Sequence, residues 1–154
     1  MHSNNTYKKL IAFVLMMTIL LTQSFAMRPQ KTVQSPEDLY TYYAAFTYHF
    51  AKYSTWEEGK SSSVFVVGVW GDAAVYEKFS PLASRSLDGG RKMKIKKVSD
   101  YTSIIDCNII FIQKGTTANL KTVFELAKEN NILVVTEGTH SRYTCVNFIF
   151  SEGS

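Results

Sequence analysis

Gly68 and Gly71, with Asp72 directly after them, stand between an apolar run and the start of an amphipathic stretch. In an alternating fold that turn is where a phosphate or small ligand sits, against backbone N–H groups at the strand ends. The full G-x-G-x-x-G spacing is missing here and no Walker lysine follows, so the two glycines read first as tight backbone geometry. A small-ligand crevice around Gly68, Gly71 and Asp72 stays open as the second reading. Acid–base chemistry has few candidates. Outside the leader the histidines are His49, within a helical stretch, and His140, in the polar segment Thr136-Glu137-Gly138-Thr139-His140-Ser141-Arg142. Glu137, His140 and Ser141 are the right types for an acid–base group, but nothing in their spacing fixes a geometry. Glu57 and Glu58 are adjacent and diverge in an extended chain. No histidine, cysteine or acid spacing makes a metal site. The residues thus name no catalytic group, metal or cofactor, and an envelope hydrolase is disfavoured for want of a nucleophile and base.

Binding offers more. Tyr53 and Trp56 close an aromatic cluster at a helix end, Phe50-Ala51-Lys52-Tyr53-Ser54-Thr55-Trp56. Trp56 either seals the core or anchors an interface, with burial the first reading because large aromatics are costly to expose. Lys92, Lys94 and Lys96 alternate with Met93 and Ile95, the pattern of a half-exposed strand. The lysine row reads first as an edge strand guarded against unwanted pairing, and second as a surface for an anionic partner.

The elements that carry these residues follow from periodicity. Ser35-Pro36-Glu37-Asp38 is a helix start, and Leu39, Tyr43, Phe46, Phe50 and Tyr53 form an apolar stripe on a helix to about Tyr53. Residues 59–63 read as a loop and 64–70 as a strand covered on both faces. A short helix is expected over about 73–82, a turn at Asp88-Gly89-Gly90, and a strand over 92–98. Further strands are expected over 107–112, 132–136 and 146–150, with a helix over 117–130 whose inward residues are Leu120, Val123, Phe124 and Ala127. This order points to the α/β class with a mostly parallel sheet.

Before all of this, Lys8 and Lys9 precede an apolar run from Leu10 to Leu21, and Ser24-Phe25-Ala26 has a small-x-small form. Residues 1–26 read as a cleaved secretory signal peptide, since the run falls short of the ~20 residues a bilayer span needs. No cysteine stands directly after it to carry a lipid. Residues 27–34 read as a flexible leader, and 35–154 as one domain. Export excludes nucleic acid and cytosolic nucleotides as partners. Removing Lys8 and Lys9 from the 17 basic residues leaves 15 against 13 acids, a net charge of +2 in place of +4. So small a charge argues for neither nucleic acid nor acidic lipid. Cys107 and Cys145 remain. In an oxidising compartment they could form a disulfide worth roughly 4 kcal/mol on the loop-entropy model. The other reading is two free thiols.

Several blocks together resemble the YfiR/HmsC-like family of periplasmic proteins. They are Phe50-x-Lys52-Tyr53-x-x-Trp56, Val66-Val67-Gly68-Val69-Trp70-Gly71-Asp72, Asp106-Cys107-Asn108-Ile109-Ile110-Phe111-Ile112, Ile132-Leu133-Val134-Val135-Thr136 and Val146-Asn147-Phe148-Ile149. The resemblance spans about residues 37 to 150. It departs at Glu57, where proline usually stands, and at Tyr143-Thr144, in place of a glycine pair. The family's cysteines often pair with others absent here. It also commonly continues into another strand and helix, so the chain is expected either to be truncated or to complete its sheet through a second subunit. The resemblance implies a small Rossmann-like three-layer domain in the periplasm, with no catalytic residues and no cofactor. It implies repression of a membrane-bound diguanylate cyclase by binding its periplasmic sensor region, and with it control of cyclic-di-GMP and biofilm. The partner surface would be an exposed aromatic or basic patch: Tyr53, Trp56, Lys92, Lys94 and Lys96 are the candidates, and a homodimer is a further alternative.

Overall fold

The computed structural model describes residues 36–56, 63–138 and 141–150. The expected signal peptide and leader, Glu57, Glu58, His140 and residues 151–154 lie outside them.

Helix α1 (Pro36–Tyr53) comes first. Its buried line is Tyr43, Ala44, Thr47 and Ala51, flanked by half-buried Leu39, Tyr40, Tyr48 and Phe50. The expected stripe of large apolar residues is therefore rotated. Phe46 is 50 % and Tyr53 72 % exposed. The helix meets the sheet over alanines and a threonine because small side chains let two backbones approach, while the large rings spread along the sides of the contact. Thr47 donates its hydroxyl proton to the Tyr43 carbonyl at 2.8 Å, so the polar residue in that line is satisfied.

Strand β1 (Val64–Trp70) is an interior strand of the sheet. It alternates between two apolar clusters: Phe65, Val67 and Val69 face α1, while Val66 and Trp70 face the other side. A strand buried on both faces reads as a continuous apolar run, and this one does. Helix α2 (Ala73–Phe79) follows and tightens into a 3-10 segment over Ser80–Ser84, where Pro81 enters. Then come β2 (Lys92–Lys97), β3 (Ile109–Ile112), α3 (Leu120–Glu129), β4 (Leu133–Glu137) and β5 (Val146–Phe148). Asn119 caps α3 by accepting from the N–H groups of Lys121 and Thr122.

The sheet runs β2-β1-β3-β4-β5, with every pairing parallel. The chain steps one way from β1 to β2 and the other way from β3 to β5. Right-handed connections therefore place helices on opposite faces. Helices α1 and α2 cover Phe65, Val67, Phe111 and Val135, while α3 covers Ile110, Ile112 and Val134 through Val123 and Ala127. This is the three-layer α/β architecture, doubly wound about a switch point between β1 and β3.

Candidate functional site

The switch point opens at the C-terminal ends of β1 and β3, where Gly71, Asp72 and Gln113 meet. The Asp72 backbone N–H donates to Gln113 Oε1 at 2.8 Å, and Gln113 Nε2 donates to Asp72 Oδ2 and to the Tyr40 phenol oxygen, each at 3.1 Å. Tyr40 in turn donates to Glu137 Oε2 at 3.3 Å, and the Lys114 N–H reaches the same oxygen at 3.1 Å. Asp72 also caps α2 by accepting from the Val75 N–H at 2.9 Å. That bond, with the Gln113 amide, holds the Asp72 carboxyl below the usual carboxylate range. Burial raises the Tyr40 phenol, against the lowering effect of Gln113, and burial with the nearby Glu137 charge pushes Tyr43 up to about 12. Tyr40, Gln113 and Glu137 thus tie α1 to three strand ends. The groups that would greet a ligand are bonded to one another.

Gly68 does not belong to this crevice. It is buried within β1 on the α3 side, where an added Cβ would lie 2.7 Å from Cys107 Sγ, 2.9 Å from Ile110 Cδ1 and 3.0 Å from Val98 Cγ2. Its missing side chain makes room for packing, and the sequence reading of Gly68 as a crevice residue is corrected accordingly. Gly71 does lie at the crevice, with Gln113 Oε1 3.0 Å from the position of its absent Cβ.

A second region gathers the other candidates. Tyr53 ends α1, stacked on His49 with ring centroids 5.7 Å apart and with Lys52 Nζ 5.2 Å from its own ring. Trp56 is half-buried. It packs edge-on against Phe65 at 4.9 Å and donates Nε1–H to the Ala51 carbonyl at 2.9 Å. The Arg91 guanidinium lies over the same Phe65 ring at 5.0 Å, and Arg85 lies over Tyr48 at 5.6 Å. Strand β2 is an edge, with Lys92 and Lys94 exposed. Lys96 differs: it donates to the Ser103 carbonyl at 3.0 Å and pairs with Asp106 at 3.2 Å. Asp100 organises that turn by accepting from Thr102 and Ser103, which holds its carboxyl down to about 2. Arg85 and Arg91 lie on the α1 face of this outer edge, Arg91 sharing the Phe65 ring with Trp56, whereas Lys92 and Lys94, registered with Val64 and Val66, project to the α3 face.

Residues 40–154 match the family described as YfiR/HmsC-like. The chain belongs to that family. No curated protein matches the sequence.

In this YfiR/HmsC-like domain neither Cys107 nor Cys145 is in a disulfide; the first is buried and the second exposed. Of the two sequence readings, bridge or separate thiols, the geometry of the strands excludes the bridge. Cys107 precedes β3 and Cys145 precedes β5, with β4 between them. Two strand spacings come to about 9.6 Å, beyond the ~7 Å that Cα atoms of a disulfide can span. Cys107 Sγ instead lies 3.7 Å from the Ser103 carbonyl. Among the described residues no group of His, Cys, Asp and Glu is placed to hold a metal ion, and no helix is long and apolar enough to cross a membrane. Glu137 takes part in the crevice ties, whereas Ser141 accepts from the Tyr143 N–H at 3.1 Å. Sequence reasoning missed Tyr40 and Gln113. Gln113 carries a legible signal, as the first polar residue after a buried strand, which is where the switch point is lined. Tyr40 carries none, because its partners lie far along the chain.

Proposed function

We propose that this chain is a non-enzymatic regulatory protein of the periplasm that binds and restrains the sensor region of an inner-membrane signalling protein such as a diguanylate cyclase. Membership of the YfiR/HmsC-like family carries this reading, for the family is known for regulators of diguanylate cyclases and is periplasmic in general. The contact surface we assign is the outer edge of β2, with the exposed Lys92 and Lys94 on one face and Arg85, Trp56 and Tyr53 on the side of α1. Exposed cations along a sheet edge suit an acidic partner face. Restraint is linkage: the domain binds one conformation of the sensor region better and draws the population toward it. Holding a partner at 99:1 when it rests at 1:99 requires a preference of about 10⁴-fold.

The small-ligand reading of the crevice draws less support. Gly68 is filled by its neighbours, and Asp72, Gln113, Tyr40 and Glu137 satisfy one another.

The test is binding of the purified domain to the isolated periplasmic sensor region of a membrane-bound diguanylate cyclase from the same cell. Binding should weaken with added salt. The double variant Lys92→Glu, Lys94→Glu should lose at least about tenfold in affinity with an unchanged melting temperature. No binding at any salt concentration refutes the reading. Binding indifferent to both charge reversals moves the surface elsewhere on the domain.

A further inference from the structure

Arg91 is held in an arrangement that works against the fold. Its guanidinium lies over the Phe65 ring at 5.0 Å, and Trp56 meets the same ring edge-on at 4.9 Å. The side chain is half-buried, yet it makes no ion pair with another described residue. Its Nε–H is buried without a hydrogen-bond partner, the only side-chain polar atom in that state among the described residues. A buried donor without an acceptor has lost its water and gained nothing in exchange, so it lowers stability. The ring contact offsets part of that loss. A methionine would keep a contact with the ring and carry no orphaned donor. Arg91 is therefore not the residue that stability alone would select.

What the arrangement does favour is capture of a negative charge. The cation is partly desolvated and has no counterion, so an incoming carboxylate meets a charge that water screens only in part. The Phe65 ring fixes its stem, so little side-chain freedom is left to lose on pairing, and the planar fork of donors matches a carboxylate. Trp56 stands beside it as an amphipathic ring able to shield the new pair from water. A second guanidinium is near. Ser86 and Lys92 form an antiparallel bridge, with the Met93 N–H donating to the Arg85 carbonyl, so Arg85 stands diagonal to Arg91, about 7–8 Å away between Cα atoms. Arg85 lies over Tyr48 at 5.6 Å and is likewise without an ion-pair partner among the described residues. Lys92 and Lys94 differ in kind. They are exposed and project to the opposite face. Solvated charges of that sort speed the encounter with an acidic partner and add little to holding it once docked.

We propose that Arg91, with Arg85 beside it, is the anchor of the signalling contact: it takes the carboxylate of a glutamate or aspartate side chain on the partner's surface, next to Trp56, while Lys92 and Lys94 draw the partner in. This rests on the regulatory reading above and names the chemistry that holds that contact.

Surface plasmon resonance against the isolated periplasmic sensor region of a membrane-bound diguanylate cyclase separates the two sets of cations by rate. Arg91→Met should weaken binding by at least about tenfold, chiefly through faster dissociation, with the melting temperature unchanged or raised. Arg91→Lys keeps the charge without the planar fork and should not restore the parent's dissociation rate. The double variant Lys92→Glu, Lys94→Glu should instead slow association. An Arg91→Met variant that dissociates at the parent's rate overturns the proposal. So does one that melts more than about 4 °C below the parent, since the arginine is then a structural residue. Hexaglutamate is the probe that needs no cyclase. Its addition should move the Arg91 Nε–Hε resonance, assigned by its loss in Arg91→Met, further than that of the exposed Arg142. Equal movement of both, or movement of neither, overturns the proposal. A sensor region that does not bind, with Arg91 still answering to hexaglutamate, removes the cyclase as partner and leaves the carboxylate anchor standing.

Discussion

Replacing Trp56 by alanine separates the two roles its ring can play. The indole packs edge-on against Phe65, a fully buried residue, at 4.9 Å, and its N–H is held by the Ala51 carbonyl at 2.9 Å. A fully buried Trp→Ala change costs about 3–5 kcal/mol. Trp56 is half-buried, so about 2 kcal/mol is the packing share, and the lost hydrogen bond adds about 1 kcal/mol. At about 4 °C per kcal/mol for a domain of this size, the melting temperature should fall by about 12 °C. Tyr53 is the control. It is 72 % exposed and stacks only on His49 beside Lys52 among the ring contacts described, so Tyr53→Ala should shift stability by no more than about 0.5 kcal/mol. Thermal unfolding by circular dichroism measures both, and titration with the partner's sensor region measures what is left of binding. The expected pattern is a large stability loss for Trp56→Ala, and for Tyr53→Ala weakened binding without stability loss. If Trp56→Ala melts within about 2 °C of the parent, the argument that this ring closes the core fails.

Three further outcomes are expected. Gly68→Ala drives a Cβ to 2.7 Å from Cys107 Sγ and should cost about 1–3 kcal/mol in urea unfolding, partly relieved by adding Cys107→Ala; additive losses would refute the shared contact. Tyr43 ionises at about 12 in the folded protein against an ordinary 10.0, chiefly through burial and then through Glu137, so its contribution is intact below pH 10 and is lost as pH rises toward 12. The difference in stability between the parent and Tyr43→Phe should therefore change by about 3 kcal/mol across that window, and a flat difference refutes the burial argument. Ellman titration should find one thiol reactive in the native protein, Cys145, and a second on denaturation; a protein isolated without thiols refutes the separation of the two strands.

The sheet was legible because burial on both faces leaves a plain mark. Residues 64–70 run apolar without a break, and β1 occupies those positions. The lysine alternation over 92–97 likewise marks β2 as an edge. The inward face of α1 was not legible, for a physical reason. Periodicity weighted by hydrophobic size picks Phe46 and Tyr53, but the line facing the sheet is set by how closely two backbones can come, and that favours Ala44, Thr47 and Ala51. Gly68 misleads for a related reason. A side chain absent for packing and one absent for a ligand look alike until Cys107, Ile110 and Val98 are seen against it. The crevice ties were illegible in part because Tyr40, Gln113 and Glu137 are distant in sequence and converge only through strand order.

That convergence also bears on the regulatory role proposed for this doubly wound domain. In such folds the switch point is the natural ligand site because strand ends diverge there and leave unsatisfied polar groups. Here Gln113 bridges the Asp72 backbone and the Tyr40 phenol, and Tyr40 reaches Glu137, so α1 itself occupies the role of the ligand. Bringing in a small molecule would first require breaking those bonds, each a net loss of about 1 kcal/mol unless replaced. The basic β2 edge and the exposed rings of α1 demand no such exchange. Arg85, Lys92 and Lys94 are already solvated, and Tyr42 and Phe46 already lie against water. Binding another protein there would add contacts without undoing any that hold the fold, which is why the proposed contact is placed on the molecular surface and not in the crevice.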